Sequence, residues 1–246
     1  MIGAIIGDII GSTYEFIDNV KDKNFELFIP YSMTTDDSIM SLAIGQALVN
    51  TYKEKDIIKI QNELIKQMQK FGRKYPYSGY GLKFKEWLKA ENPRPYNSFG
   101  NGSAMRVSPC GWLGSMDQVL SFARESAECT HNHPEGVKGA ECVAYAIALA
   151  LEGKNKEQIK EKVCWLYGYD LSMTCQELRR TYRFDETCQG TVPQAIICFL
   201  ESHDFESALR LAVSIGGDSD TLAAITGGIA EAYYGIPKEI EQKALT

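Results

Sequence analysis

The chain has 246 residues, with 26 Lys and Arg against 32 Asp and Glu, a formal charge of −6, 44% hydrophobic residues and 24% charged ones. Those proportions are those of an ordinary globule and exclude a disordered or fibrous chain. The acidic balance argues against a nucleic-acid binder working by phosphate neutralisation.

A single domain over residues 1–246 is expected, since no Pro/Ser linker, internal repeat or low-complexity tract divides the chain. At this length it should bury roughly three quarters of its unfolded surface and need no disulfide. Cys110, Cys129, Cys142, Cys164, Cys175, Cys188 and Cys198 form no CxxC pair, which fits reduced thiols in a cytoplasmic protein. Asp8 interrupts the first apolar run, no basic segment precedes it, and no stretch reaches the ~20 apolar residues of a membrane span.

In chain order, Gly3, Gly7 and Gly11 recur every four residues and line one face of a first helix, as close helix–helix packing requires. Asp8 lies in that helix, where local donors can satisfy it, and Glu15 stands near its end. A loop is expected over Asn19–Ser32. Thr34-Thr35-Asp36-Asp37-Ser38 then opens an apolar helix, and an N-cap with acids favoured by the helix dipole accounts for it taken alone. Ile57, Ile60, Leu64, Met68 and Phe71 step by three or four, with lysines between them, as an amphipathic helix does.

Loops are expected at Tyr75–Gly81, Glu91–Pro109, Thr130–Glu135 and Tyr182–Pro193. Within the second, Ser98, Phe99, Gly100, Asn101 and Gly102 lead into Arg106. The glycines read as an ordinary turn, or as a loop whose backbone N–H groups approach a phosphate. Thr130-His131-Asn132-His133 follows Cys129, but only His203 remains as a further imidazole, so a His-rich zinc site is excluded. His131 reads as a substrate-contacting or hydrogen-bonding residue, His133 as structural. A stripe from Val137 to Leu151 and another from Phe205 to Val213 predict two further helices, the latter capped by Asp204. Gly216-Gly217-Asp218-Ser219-Asp220-Thr221 opens a last, nearly all-apolar helix that should be central. An EF-hand reading fails there, because the turn-glycine position is Ala223 and the twelfth is Ile229. About ten helical segments result, with no alternating strand pattern.

The two acidic helix starts gain meaning together. Thr35, Asp36 and Asp37 with Asp218, Asp220 and Thr221 make an all-oxygen set of the kind Mg²⁺ or Mn²⁺ prefers. Four carboxylates balance two divalent ions, and without them would raise one another's pKa values.

These segments resemble, in order and wording, the ADP-ribosylglycohydrolase family. The matching stretches are Gly3–Glu15, Thr34–Ser38, Ser98–Arg106, Thr130–Pro134, Gln189–Ala195 and Gly216–Gly235. The resemblance implies an all-α, compact orthogonal helical domain with a binuclear Mg²⁺ or Mn²⁺ centre in a cleft. It makes Thr35, Asp36, Asp37, Asp218, Asp220 and Thr221 the metal ligands. Glu15 or Asp37 becomes the proton-relaying carboxylate, Ser98, Phe99, Gly100, Asn101 and Gly102 the loop on the phosphates of ADP-ribose, and His131 a substrate contact. The activity implied is hydrolysis of the glycosidic bond between ADP-ribose and a protein side chain or small conjugate. Partners are then ADP-ribose or ADP-ribosylated molecules, with no membrane, no direct nucleic-acid binding and a monomeric state. Ser98 stands where some arginine-directed relatives carry an acid, so an arginine N-glycoside, a serine O-glycoside and a small conjugate all stay open. Two other readings stay open: a non-catalytic ADP-ribose or nucleotide-binding module on the same fold, and a metal-dependent nucleotide phosphohydrolase.

Overall fold

The computed structural model describes residues 1–15 and 20–245, and the start of the expected Asn19–Ser32 loop lies outside them. Among the described residues there are thirteen α-helices, two short 3₁₀ segments and no strand beyond one isolated bridge. No helix among them is long and apolar enough to cross a membrane.

The helix that organises the rest is α12 (Ser219–Tyr234), buried continuously from Ser219 to Ala230. It packs against α1 (Ile2–Gly11), α7 (Pro134–Leu151), α10 (Cys188–Glu201) and α11 (Phe205–Ser214). An apolar helix surrounded by helices needs no polar face, and each fully buried Leu or Ile on it contributes roughly 1.5–3 kcal/mol. The glycine face of α1 lies directly on α12. A Cβ at Gly3, Gly7 or Gly11 would meet the backbone oxygens of Gly227, Ala223 and Ser219 respectively. The two backbones touch because these positions carry no side chain, and that contact sets Asp8 beside the acidic start of α12.

The amphipathic α3 (Ile57–Lys74) buries Ile60, Leu64 and Met68 and leaves Lys59, Lys66 and Lys70 in solvent. Ile57, at its first turn, is exposed instead. The stripe on α11 is buried throughout, and Asp204 caps it by accepting from Ser207 N at 2.6 Å.

Three loop expectations need correction. Glu91–Pro109 is irregular only up to Asn101, after which α5 (Gly102–Met105) and a 3₁₀ turn (Ser108–Trp112) follow. In the Tyr182–Pro193 region, Thr187 caps α10 by accepting from Gly190 N at 3.0 Å, so Pro193 sits inside the helix. The loop at Thr130 ends at His133, whose ring nitrogen caps α7 by accepting from Glu135 N at 3.2 Å. In the last two cases a single cap starts the helix before the breaker that the sequence suggested. Short helices such as α4 (Leu82–Lys89), α9 (Cys175–Thr181) and α13 (Lys238–Ala244) raise the count above ten. All seven cysteines are free thiols.

Candidate active site

Two helix starts from opposite ends of the chain converge. Helix α2 (Asp36–Thr51) begins at Thr35, whose Oγ1 accepts from Asp37 N at 3.3 Å, so the capping role expected of this segment is real. The same hydroxyl donates to Asp8 Oδ1 at 2.7 Å. Asp8, fully buried on α1, also accepts from Thr35 N at 2.9 Å, from Ser38 N at 3.1 Å and from Ser38 Oγ. Its two oxygens therefore fasten α1 to the start of α2.

The start of α12 behaves differently. Gly216 and Gly217 adopt left-handed φ values of 71° and 82°, which non-glycine residues rarely hold. A Cβ at Gly217 would lie 2.6 Å from the Tyr182 ring. This turn delivers Asp218 at the N-cap position, yet its carboxylate makes no capping bond. Instead Asp218 Oδ2 accepts from Asn101 Nδ2 at 2.6 Å. Thr221 Oγ1 donates to Asp37 Oδ2 at 3.3 Å, joining α12 to α2.

The carboxylates form two overlapping groups. One oxygen each from Asp8, Asp37 and Asp220 lie within 4.8 Å of one another, as do one each from Glu15, Asp218 and Asp220. Asp220 belongs to both. Asp36 belongs to neither; its Oδ1 faces Gly79, 3.0 Å from where a Cβ would be. Burial, and next the charge of Asp8, hold the Asp37 carboxyl well above the usual range. Burial followed by Asp218 and Asp37 does the same to Asp220. Glu15 is pushed up to about 8 by burial and then by Asp218, and Asp36 to about 7 by burial and then by Asp8. Asp37 Oδ1 is occluded and has no hydrogen-bond partner among the described residues. A buried carboxylate oxygen without a donor is costly, and a hard cation among these oxygens removes both that deficit and the repulsion.

Beside the acids lies the glycine loop. Asn101 N donates to Glu186 O at 2.7 Å and Cys188 N to Phe99 O at 2.9 Å, pinning the loop to the segment before α10. Asn101 Nδ2 reaches Thr191 Oγ1 at 3.0 Å as well as Asp218. Ser98 Oγ accepts from Gly100 N at 3.2 Å. Phe99 is exposed, its ring 5.3 Å from that of His133. His131 is buried behind the loop, its Nε2 3.1 Å from the Cβ position of Gly102 and 3.6 Å from that of Gly100.

The structure thus brings Glu15, Asp37, Asp218, Asp220 and Thr221 together, with Thr35 and Asp36 at the edge and the loop and His131 alongside. Asp8 was read from the sequence as satisfied by local donors. Its donors are instead Thr35 and Ser38, 27 and 30 residues along the chain, and it also faces Asp37 and Asp220. Its signal was an acid inside an apolar helix, one residue past a contact glycine. Tyr182 gave no signal of its own, and Thr191 only as part of the matching Gln189–Ala195 stretch.

The matching family model is that of the ADP-ribosylglycohydrolases, over residues 1–245, and the chain belongs to that family. Among its relatives is the ADP-ribosylhydrolase ARH3 of Homo sapiens, 28% identical over 96% of this chain and 84% of that protein. The ADP-ribosylarginine hydrolase Tri1 of Pseudomonas putida is 25% identical over 99% of this chain and 73% of its own length. A solved ADP-ribosylglycohydrolase-related protein complex superposes with a TM-score of 0.70 at 25% identity, covering 99% of this chain and 95% of the other.

Proposed function

We propose that this cleft hydrolyses the N- or O-glycosidic bond between ADP-ribose and its acceptor, using two divalent cations, Mg²⁺ or Mn²⁺. As a family member the chain is an ADP-ribosyl hydrolase; the bond type, the ions and the residue roles are the proposal. The observation that carries it is the pair of three-carboxylate groups sharing Asp220. A shared carboxylate between two hard-cation positions suits a two-ion site.

In this reading Asp8, Asp36, Asp37, Asp218, Asp220 and Glu15 supply the negative charge, and Thr35 and Thr221 neutral oxygens. Bound cations would lower the pKa of water at the cleft and neutralise developing charge on substrate oxygens. Ser98 to Gly102 offer backbone N–H groups to the pyrophosphate, which glycine lets approach closely. Asn101 holds the loop against Asp218, so phosphate binding and the acidic groups stay in register. Glu15, raised to about 8 in the absence of cations, is suited to pass a proton between the leaving group and water near neutral pH. Asp37 is the alternative carrier. Its place in the group with Asp8 and Asp220 and its bond from Thr221 favour a holding role.

The test is a panel of proteins and conjugates carrying ADP-ribose on Arg, on Ser or on a small acceptor, incubated with Mg²⁺, Mn²⁺ or chelator. Divalent-dependent release of free ADP-ribose from at least one substrate is the expected outcome. Release of phosphate or AMP instead indicates a phosphohydrolase. Tight ADP-ribose binding without turnover of any substrate indicates a binding module.

A further inference from the structure

Among the described residues Arg106 is the largest fully buried side chain, and no carboxylate lies within ion-pair distance of it. A buried charge normally comes with a counter-ion. Here the guanidinium is held by neutral acceptors: Nη2 donates to Ser126 O at 2.9 Å and to Thr130 Oγ1 at 2.8 Å. Its Cζ lies 5.7 Å from the centroid of the Phe84 ring.

The bond to Thr130 constrains what comes next. A guanidinium can only donate, so Thr130 Oγ1 accepts. Its own hydrogen then needs an acceptor, and the one partner within reach is His131 Nδ1 at 2.6 Å. Thr130 is fully buried, and among the described residues no second acceptor faces that hydrogen. If Nδ1 accepts, the imidazole proton must sit on Nε2. An imidazolium would put an N–H against the hydroxyl and leave the hydroxyl hydrogen stranded. Nε2 has no protein partner among the described residues and points at the glycine loop, where even a Cβ on residue 102 would come within 3.1 Å.

We propose that Arg106 and Thr130 form a positioning relay that fixes His131 as the neutral Nε2–H tautomer, so that its free N–H is offered to a ligand oxygen at the Gly100–Gly102 loop. The groups facing His131 agree with this. Burial, and next the Arg106 charge, hold its pKa well below the usual value, and the other ring against it is that of Tyr96 at 5.9 Å between centroids. Arg106 and Thr130 touch no substrate; they act through His131. The ligand half of the inference rests on the ADP-ribose reading of the cleft, whereas the tautomer half does not.

The experiment is long-range ¹H–¹⁵N NMR of the intact protein, which has 3 histidines, with the His131 signals assigned by His131→Asn. The wild-type spectrum should show a bare Nδ1 and a protonated Nε2, unchanged between about pH 5.5 and about 8.5. Thr130→Val should give a mixed or reversed tautomer and weaken ADP-ribose binding by about tenfold in calorimetry. Thr130→Ser should restore both, which a purely structural role for the residue would not predict. A wild-type His131 that carries its proton on Nδ1, or that titrates in this range, overturns the relay without any variant. So does a folded Thr130→Val with the wild-type tautomer. The expected tautomer in a protein without affinity for ADP-ribose upholds the relay and overturns the reading of the cleft.

Discussion

Asp220→Asn separates a charge that holds cations from a charge that only complements a helix dipole. Asp220 is in the first turn of α12. As a dipole partner alone it contributes about 0.3–1 kcal/mol, and Asn would cost no more than that. The structure asks more of it, because it is the one residue in both carboxylate groups. In the metal-free protein its charge is opposed by Asp218 and Asp37 inside a buried site, so Asn should leave melting unchanged or raise it. With a divalent ion at a hundred times its Kd, one ion bound only by the folded state adds about 2.7 kcal/mol. For a chain of this length each kcal/mol is worth roughly 2–4 °C in Tm, so the wild type should climb by roughly 5–11 °C per ion. Asp220→Asn should lose most of that climb and most of the hydrolysis together, and Asp36→Asn should lose part of the climb. Differential scanning fluorimetry with and without Mn²⁺ or Mg²⁺, paired with an ADP-ribose release assay, reads both quantities. If wild-type melting ignores divalent ions and both variants stay active, the cation reading of this cleft is wrong and the two acids only complement their helix dipoles.

Glu15→Gln should cut kcat by at least about a hundredfold, the scale of a lost general acid or base. Metal analysis should still find the ion held by Asp8, Asp37 and Asp220, whose group does not include Glu15; full activity would remove Glu15 from the chemistry. Gly100→Val should weaken ADP-ribose binding while melting changes little, since the new side chain would start 3.3 Å from Ser98 Oγ and 3.6 Å from His131 Nε2; an unchanged calorimetric Kd would sink the loop assignment. The chelated protein should melt higher near pH 5.5 than near pH 8. Glu15 and Asp36 have folded pKa values raised to about 8 and about 7. Their protonated forms therefore favour the fold at low pH, and that contribution is lost as pH rises through this window. A melting temperature that rises with pH across that window would overturn the raised carboxyl pKa values of this buried cluster.

Caps and amphipathic stripes were legible in the sequence because their cause is local. Asp204 caps α11 with a residue three positions away, and the α3 stripe is set by helical period alone. The acidic helix starts were legible as chemistry only in combination. Each alone is explained by capping, and Thr35 does cap α2. What distinguishes the second start is that Asp218 turns its carboxylate to Asn101 rather than to its own helix. That contact spans 117 residues of chain, and no local pattern encodes it. The start of α10 was misplaced for a related reason: Thr187 is fixed partly by the pairing of Gly100 with Thr187, again a distant partner.

Asp8 shows how packing becomes function in this fold. An isolated carboxylate inside an apolar helix is destabilising unless donors meet it. The donors come from the α2 start, through Thr35 and Ser38. On its glycine face α1 packs directly on the backbone of α12. The same glycine face therefore accomplishes two things. It lets α1 and α12 approach to backbone contact, and it brings a carboxylate on α1 within 4.8 Å of Asp37 and Asp220 on two other helices. In the metal-free cluster Asp37 Oδ1 has no partner among the described residues. A site whose framework is rigid backbone and whose charge is unbalanced by its own chain is preorganised for a cation, because the cost of gathering the acids is met by folding rather than by binding.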